Sequence, residues 1–254
     1  MMGADIIANQ RQSHTPPVLT ARHALFLDFD GTLVDIAPTP EGVKVPEELT
    51  GLLMRVRDAL GGALAVISGR DLNVITAYLK PLILPCAGTH GTERRKSDGT
   101  LVLPDPDVLA EAADMAADAA KAVTGYPGMG IEIKPYSVVL HYRAAPEHHD
   151  ACVEILNRLM CGRRHEWGIV EGKMIVEVRP AGYSKAGSVQ AFMREPPFAG
   201  RIPVFVGDDR TDEDGIKAAM AMGGFGIKVG MGDSVASYRL ADPQAVRRYL
   251  ASAM

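Results

Sequence analysis

A short apolar run that ends in two carboxylates constrains this chain more than any other feature. Residues 24–27 read Ala-Leu-Phe-Leu, and Asp28, Asp30 and Gly31 follow. A short apolar run bounded by glycine predicts a buried strand, and alternation along an extended backbone puts Asp28 and Asp30 on the same side. Carboxylates are costly to bury without partners. The run therefore predicts a strand that ends at a functional site; the alternative is a turn at a sheet edge with solvated aspartates.

The composition excludes several classes of protein. The 254 residues are 47% apolar and 23% charged, which is ordinary for a globular protein of one large domain or two modest ones. The net charge of −4 gives no electrostatic footprint for nucleic acid. We see no apolar run near the roughly 18 residues that span a bilayer. The three cysteines have no metal-type spacing. We therefore expect a cytoplasmic protein without nucleic-acid or membrane partners.

The N-terminal stretch carries no targeting pattern. Residues 1–17 lack the apolar core of a signal peptide and end in a proline pair. We expect a frayed polar arm there.

Strand-like and helix-like segments alternate in the first and last parts of the chain. Apolar spacing predicts helices over 46–60 and 71–79 and strands over 63–67 and 82–86. The same alternation resumes at Ser184, with strands over 202–206 and 225–229 and a final helix over 243–250. Asp71, Ser184 and Thr211 are predicted to cap the helices that follow them. Alternation with short connections predicts a parallel sheet covered on both faces, which is a doubly wound, Rossmann-like α/β core.

The middle of the chain follows another pattern. A helix is predicted over 105–123 and a second over 147–160, and each is followed by two strands, at 130–134 and 137–143 and then at 167–171 and 174–178. This order describes a compact α+β unit. We predict a core domain over 1–98 and 182–254 and an inserted α+β cap domain over 99–181.

Three further polar clusters follow predicted strands or begin predicted helices. They contain Ser68, Lys185 and the pair Asp208 and Asp209. Taken singly, Ser68 could cap a helix, Lys185 could be a solvated helix residue, and the acidic residues 212–214 favour a helix start. In order with the first motif, however, the four clusters resemble the haloacid dehalogenase superfamily. That resemblance implies a magnesium-dependent aspartyl-phosphate site at the C-terminal ends of neighbouring parallel strands.

The resemblance assigns roles residue by residue. Asp28 matches the nucleophile and a Mg²⁺ ligand. Asp30 matches the general acid and base, and its backbone carbonyl a second ligand. Ser68 and Lys185 match the groups that hold the phosphoryl oxygens, and Asp208 matches a further Mg²⁺ ligand. The physical chemistry agrees, because Mg²⁺ prefers carboxylate and phosphate oxygens and lysine is a flexible cation suited to phosphate. Asp212 is an additional candidate, as a ligand or as an acceptor behind the ligands.

Further motifs narrow the resemblance to the trehalose-6-phosphate phosphatase family. These motifs are Gly-Asp-Asp-Arg-Thr-Asp-Glu-Asp at 207–214, Gly-Lys-Met-Ile-Val-Glu-Val-Arg-Pro at 172–180, and Glu132-x-Lys134. By resemblance Glu132, Lys134 and Glu177 hold the distal glucose, and charged groups suit sugar hydroxyls, which both donate and accept hydrogen bonds. The alternative is a cross-strand ion pair on a solvated sheet face. The full substrate-binding set that we predict is Asp28, Asp30, Gly31, Ser68, Arg70, Glu132, Lys134 and Glu177.

The resemblance implies one function, and we keep two alternatives open. The expected reaction is Mg²⁺-dependent hydrolysis of trehalose 6-phosphate to trehalose and phosphate. The first alternative is a phosphatase of another phosphosugar, of the sucrose-phosphate or mannosyl-phosphoglycerate type. The second is a sugar-phosphate sensor without catalysis. The expected partner is a small phosphosugar, and we take a monomer as the working expectation.

Overall fold

An eight-stranded sheet forms the larger of two compact units. The computed structural model describes residues 15–37, 39, 42–172 and 174–252. The arm predicted over 1–17 lies mostly outside these residues, as does Lys173 of the glycine-lysine motif. The first unit comprises the described residues up to Val102 and those from Ser184 onward, and the second is Leu103–Tyr183. As functional domains, core and cap stay a prediction.

The elements alternate as the apolar spacing predicts. Those before the second unit are β1 (His23–Leu27), α1 (Glu47–Ala59), β2 (Leu64–Ile67), α2 (Leu72–Leu79), β3 (Cys86–Gly88), a 3-10 turn (Thr89–Gly91), β4 (Glu93–Arg95) and β5 (Leu101–Val102). The second unit holds α3 (Pro106–Val123), β6 (Gly130–Lys134), β7 (Ser137–His141), a 3-10 turn (Pro146–His148), α4 (His149–Met160), β8 (Trp167–Gly172) and β9 (Ile175–Pro180). The chain then returns to the first unit with α5 (Lys185–Phe192), β10 (Ile202–Gly207), α6 (Asp212–Ala221), β11 (Phe225–Val229), β12 (Tyr238–Leu240) and α7 (Pro243–Ala251).

The sheet of the first unit is mainly parallel, which confirms the predicted α/β class. Its strand order is β12-β11-β10-β1-β2-β3-β4-β5. The ladders from β12 to β3 are parallel, whereas β4 and β5 join antiparallel at one edge. Neither edge strand was predicted, nor was β12, because each has three residues or fewer and too little alternation to recognise. The strand predicted over 82–86 begins only at Cys86, since Pro85 has no N–H for the ladder.

Side chains of the central strand enter two different hydrophobic clusters. Leu25 and Leu27 pack into one cluster with α1 and α7, and Ala24 and Phe26 into another with α5 and α6. Alternate residues of a strand face opposite sides of the sheet, so β1 is buried on both faces. This double burial explains the continuous apolar run at 24–27 and places the two aspartates at the point where the run ends.

The second unit has a hydrophobic core of its own. Its four-stranded antiparallel sheet has the order β6-β7-β9-β8. The core joins α3 and α4 to one sheet face through buried residues that include Met115, Leu156, Leu140 and Val178. This arrangement agrees with the predicted α+β character. Across both units, no helix within the described residues has the length and apolar character needed to cross a membrane.

Candidate active site

The predicted polar clusters meet at the C-terminal ends of adjacent parallel strands. β1 lies between β10 and β2, and the three strands run in the same direction. Asp28 follows β1, Ser68 follows β2 and Asp208 follows β10. The Asp28 N–H still bonds to the carbonyl of Val206 at 3.0 Å, which fixes the first aspartate against the end of β10. The sheet topology therefore brings together segments that are far apart in sequence.

Lys185 is the buried cation of this site. It is the first residue of α5, whose Ser184 cap accepts a hydrogen bond from the Gly187 N–H at 3.0 Å. Lys185 Nζ lies 2.8 Å from Asp28 Oδ1 and 2.5 Å from Asp212 Oδ1. Lys185 is only 3% exposed, so it is not the solvated helix residue that was the alternative interpretation.

Asp212 organises the loop between β10 and α6. Its Oδ2 accepts the backbone N–H groups of Asp208 and Asp209, both at 3.0 Å, and its side chain is fully buried. We expected Thr211 to cap α6, and this was wrong. The Thr211 side chain makes no capping bond, and Asp209 Oδ1 instead accepts the N–H of Asp212 at 3.0 Å. Asp209 takes the role because it also accepts the Thr211 N–H and hydroxyl, which orients its carboxylate toward the helix start.

Gly31 lies directly against one of the carboxylates. Its φ is +78°, a conformation that side chains with a Cβ rarely adopt. A Cβ at this position would overlap the carboxylate of Asp208. The turn after β1 therefore requires glycine for both its backbone angle and its close approach to Asp208.

Burial and mutual repulsion shift the protonation of the carboxylates. Burial raises the pKa of Asp28 to about 7, although Lys185 opposes this by charge and hydrogen bonding. Burial, together with the charges of Asp212 and Asp209, raises the pKa of Asp208 to about 7. The pKa of Asp212 is raised by burial and by Asp28. Burial alone would lower the pKa of Lys185, but the surrounding aspartates outweigh it and raise that pKa.

The arrangement fits a divalent cation. One carboxylate oxygen from each of Asp28, Asp208 and Asp212 lies within 4.8 Å of the others. When ionised, these three and Asp209 carry four negative charges, while Lys185 and Lys228 supply two positive ones, which leaves two negative charges unbalanced. Mg²⁺ binds to oxygen ligands, and this surplus of negative charge favours a divalent cation. Of the metal ligands predicted from sequence, Asp28 and Asp208 belong to this cluster. The ligand predicted for Asp30 is its backbone carbonyl, which stays a prediction.

The Asp30 carboxylate is held by an arginine. Arg70 Nε lies 2.5 Å from Asp30 Oδ2, and Arg70 Nη2 lies 2.9 Å from Asp30 Oδ1. This two-pronged geometry is the strong form of an arginine–carboxylate pair. The two residues come from loops 40 positions apart, so no local sequence pattern indicated the pair.

Ser68 lies beside this ion pair. It is 1% exposed, and its hydroxyl oxygen accepts the Arg70 N–H at 3.1 Å. It does not cap α2, because Asp71 does so through the Asn73 N–H, as the sequence predicted. A buried hydroxyl at the end of β2 remains available as a donor.

A cavity of about 400 Å³ opens beside the carboxylates within the first unit. Gly31 and Asp208 form the wall that it shares with the cluster. The other lining residues lie in the loops after β1, β11 and β12 or at the ends of the elements beside them, namely Asp35, Ile36, Val229, Gly230, Met231, Ala241, Asp242 and Pro243. A ligand therefore has room next to Asp208.

The residues predicted to hold the sugar lie together on one sheet of the second unit. Glu177 is 3% exposed and accepts a hydrogen bond from the Ser137 hydroxyl at 2.7 Å, and Lys134 Nζ lies 3.4 Å from it. Glu132 Oε2 lies 3.2 Å from His141 Nε2. The sequence did not single out Ser137 or His141 as site residues, because their contacts depend on strand register. The pairs also match the ion-pair alternative in geometry, although Glu177 is buried rather than solvated.

Three comparisons place the chain among known proteins. A family model described as trehalose-phosphatase matches residues 26–244. The chain is 42% identical over 229 residues to trehalose-6-phosphate phosphatase of Escherichia coli K12, covering 89% of this chain and 84% of that protein. It is 40% identical to a probable trehalose-phosphate phosphatase of Sinorhizobium fredii, covering 82% and 77%.

Solved structures agree with these sequence relatives. A crystal structure of a trehalose-6-phosphate phosphatase related protein superposes with a TM-score of 0.74 at 26% identity, covering 89% of this chain and 95% of that one. The C-terminal domain of trehalose-6-phosphate phosphatase from C. albicans superposes with a TM-score of 0.75 at 20% identity, covering 92% and 93%. The second likeness supports the fold alone.

Proposed function

The chain belongs to the trehalose-phosphatase family, and from that premise we propose that it hydrolyses trehalose 6-phosphate to trehalose and phosphate. The proposed enzyme is a phosphoric monoester hydrolase that uses Mg²⁺ and forms an aspartyl-phosphate intermediate. The observation that carries the proposal is the cluster of the partly buried Asp208 with the buried Asp28, Lys185 and Asp212, in which Lys185 Nζ lies 2.8 Å from Asp28 Oδ1.

A carboxylate nucleophile lowers the barrier to hydrolysis of the phosphate ester. Hydrolysis of a phosphate monoester is so slow without a catalyst that enzymes accelerate it by up to ~10²¹-fold. A covalent intermediate divides the displacement into two easier steps. In the first step an oxygen of Asp28 bonds to phosphorus while the bond from phosphorus to the sugar oxygen breaks. In the second, water bonds to phosphorus and the bond to Asp28 breaks, which restores the carboxylate.

Lys185 favours the charged form of the nucleophile. Burial raises the pKa of Asp28 to about 7, and the ammonium opposes that rise because it favours the ionised carboxylate. An ammonium has three N–H donors, and two of them meet Asp28 and Asp212. The third can donate to a phosphoryl oxygen, as the family resemblance implies.

The cation would be held by the carboxylates of Asp28 and Asp208, the backbone carbonyl of Asp30 and, in this chain, the nearby carboxylate of Asp212. When bound, Mg²⁺ supplies positive charge that offsets the repulsion between an anionic ester and an anionic nucleophile. The protein contributes a fixed arrangement of oxygens. Asp212 holds two backbone N–H groups of the Asp208 loop, and Gly31 allows Asp208 to approach the turn after β1.

Asp30 is the proposed general acid and base. It would protonate the leaving sugar oxygen and then take a proton from the attacking water. Both of its oxygens accept hydrogen bonds from Arg70. Each carboxylate oxygen has two acceptor lone pairs, so Asp30 can hold and pass on a proton at a lone pair that Arg70 does not use, while Arg70 orients the carboxylate.

Removal of the nucleophile tests the chemistry. In an assay of phosphate release from trehalose 6-phosphate, the wild-type protein should be active with Mg²⁺ and inactive in its absence. Asp28→Asn should lose activity by the order of 10⁶-fold, as other enzymes do without their nucleophile. Asp58→Asn changes an exposed aspartate of α1 and serves as the matched control with wild-type activity. Full activity of Asp28→Asn would contradict the mechanism.

A second experiment tests sugar recognition by Glu132. We expect Glu132→Ala to lower turnover of trehalose 6-phosphate by about 10- to 100-fold, the size of one lost charged hydrogen bond, while p-nitrophenyl phosphate is affected little. Glu171→Ala removes a more exposed glutamate of the same sheet and should affect neither substrate. Equal losses on both substrates in Glu132→Ala would remove the recognition role.

A substrate panel distinguishes the alternatives. Release of phosphate from trehalose 6-phosphate at a far higher kcat/KM than from sucrose 6-phosphate or mannosyl-phosphoglycerate supports the proposed substrate. A reversed preference would favour another phosphosugar phosphatase. Tight binding of trehalose 6-phosphate without release of phosphate would favour the alternative of a sugar-phosphate sensor without catalysis.

A further inference from the structure

A second buried lysine lies next to the carboxylate cluster. Lys228 is 5% exposed and sits in β11 between the buried apolar residues Ile227 and Val229. Burying an ammonium costs several kcal/mol unless good partners compensate it. An apolar residue at this position of a buried strand would avoid that cost. The presence of lysine therefore calls for a specific partner.

That partner is the backbone of Asp208. Lys228 Nζ donates a hydrogen bond to the Asp208 carbonyl oxygen. The register explains the contact, because Lys228 lies opposite Gly207, the last residue of β10, and Asp208 comes next. The Lys228 charge also acts on the carboxylate, where it opposes the rise in the Asp208 pKa that burial causes.

The backbone of Asp208 is consequently held at both of its polar groups. Its N–H donates to Asp212 Oδ2 at 3.0 Å, and its carbonyl accepts from Lys228. The carboxylate of the same residue abuts Gly31. With both neighbouring peptide groups fixed, the direction of the Asp208 Cα–Cβ bond, from which the carboxylate extends, is fixed as well.

We propose that Lys228 is a positioning residue for the cation site. Through its hydrogen bond to the Asp208 carbonyl, Lys228 holds the Asp208 carboxylate in place relative to the carboxylates of Asp28 and Asp212. This inference rests on the Mg²⁺ dependence proposed above. Lys228 acts through Asp208, and its ammonium is engaged by a backbone oxygen. Lys185, the lysine of the proposed catalytic group, belongs to a different element, α5, and contacts side-chain carboxylates.

Two physical effects of removing Lys228 have opposite signs. Loss of a positive charge makes the cluster more negative and by itself strengthens cation binding. Loss of the hydrogen bond frees the Asp208 peptide and weakens binding, because the ligand is no longer held in place. A positioning role requires the second effect to dominate, so the direction of the change in Mg²⁺ affinity decides the matter.

Calorimetric titration of the free protein with Mg²⁺ measures that direction. We expect Lys228→Met, which keeps most of the stem, to weaken Mg²⁺ binding by about 10- to 100-fold, the usual effect of losing a group that orients a metal ligand. Lys228→Arg, which keeps the charge and a donor, should recover part of the affinity. Lys217→Met removes an exposed lysine of α6 and is the matched control with unchanged affinity.

Kinetics provide a second readout. In Lys228→Met, raising the Mg²⁺ concentration should restore most of kcat. KM for the phosphosugar should stay within about twofold, because the substitution removes no interaction that binds the ground state and the transition state of the substrate equally. If Lys228→Met does not fold, Lys228→Gln, which keeps an N–H donor on a shorter stem, carries the same comparison and should also weaken binding.

Affinity equal to or tighter than wild type in these variants would overturn the inference, whatever their thermal stability. That result would leave the proposed function untouched as long as the wild-type protein binds Mg²⁺ and releases phosphate. A wild-type protein that neither binds Mg²⁺ nor needs it would overturn the proposed cofactor and the positioning role together.

Discussion

One buried ammonium faces an excess of carboxylates at the end of the central strand. Lys185 contacts Asp28 and Asp212, and Asp208 and Asp209 lie close enough to act on the same group of charges. Burial, and to a smaller extent the like charges of neighbouring aspartates, raise the pKa values of Asp28 and Asp208 to about 7. Such perturbed groups are typical of functional sites, where stability is given up for chemistry. At the scale of single residues, the cluster holds more carboxylates than ammonium groups, which is the charge pattern expected of a cation site.

Gly31→Ala tests the closest contact in the site. The new Cβ would need a strained positive φ and would overlap the Asp208 carboxylate. We expect stability to fall by about 1–3 kcal/mol from backbone strain, and turnover to fall by at least about 100-fold because displacement of a positioned group by 1 Å has that effect. Chemical unfolding and phosphate release measure the two changes.

The control for this variant is Gly200→Ala. Gly200 has a φ of +77°, almost the same as Gly31, but a Cβ there meets nothing within 4 Å. The control should lose stability through the same strain and keep its turnover. Equal turnover in the two variants would show that the approach of Gly31 to Asp208 has no catalytic consequence.

At the scale of elements, the start of α5 positions Lys185 in the site. The Ser184 side chain accepts the Gly187 N–H, and the Ser184 carbonyl accepts from Ser188. The turn after β3 packs closely on this helix start, since a Cβ on Gly91 would overlap Ser188. A capped and packed first turn holds the lysine stem so that its ammonium reaches two carboxylates.

Ser184→Ala should disturb this positioning. Loss of an N-cap costs typically ~1 kcal/mol, and we expect turnover to fall as well because Lys185 is the next residue. Asp105→Ala removes the cap of α3, which accepts the Asp107 N–H at 3.0 Å, and should cost similar stability without changing turnover of p-nitrophenyl phosphate. An identical drop in turnover for both variants would assign the effect to stability alone.

At the scale of the whole molecule, two units with separate hydrophobic cores are stabilised by different contacts. In the second unit, Glu111 of α3 accepts hydrogen bonds from the Trp167 Nε1–H at 2.8 Å and the Arg164 N–H at 2.7 Å. Burial by itself would raise the pKa of Glu111, but these donors and those of His165 outweigh it and lower the pKa to about 2. Glu111 thus joins α3 to the start of β8.

This carboxylate makes the stability of the second unit depend on pH. The pKa of Glu111 is lower in the folded state than in the unfolded state, where it is about 4.5. The ionised carboxylate therefore contributes stability that is fully present above pH 4.5 and is lost as the pH falls toward 2. Glu111→Gln should therefore lower the free energy of unfolding at pH 6, and its difference from wild type should shrink between pH 4.5 and 2. Trp167, the single tryptophan of the sequence, reports this unit by fluorescence.

Glu154→Gln, at an exposed position of α4, is the control and should follow the wild-type curve. A difference between Glu111→Gln and wild type that stays constant from pH 6 to pH 2 would mean that the carboxylate charge contributes nothing.

The sequence alone determined the α/β class, the C-terminal ends of β1, β2, β10 and β11 to within one residue, and the residues that follow those ends. These features follow from local periodicity, which a chain shows before it folds. The Asp71 and Ser184 caps were likewise readable from their neighbours. The functional roles of the site residues stay predictions that rest on family resemblance and await the experiments above.

The tertiary structure decided which groups touch. The contact of Lys185 with Asp28 joins residues 157 positions apart, and that of Lys228 with Asp208 depends on the register between β10 and β11. The pairing of Arg70 with Asp30 and the capping of α6 by Asp209 rather than Thr211 also depend on loop geometry. Sequence patterns repeat over a few residues, whereas these contacts depend on how distant segments pack. The sequence therefore placed the charges along the chain, and packing of the sheet selected the partner of each one.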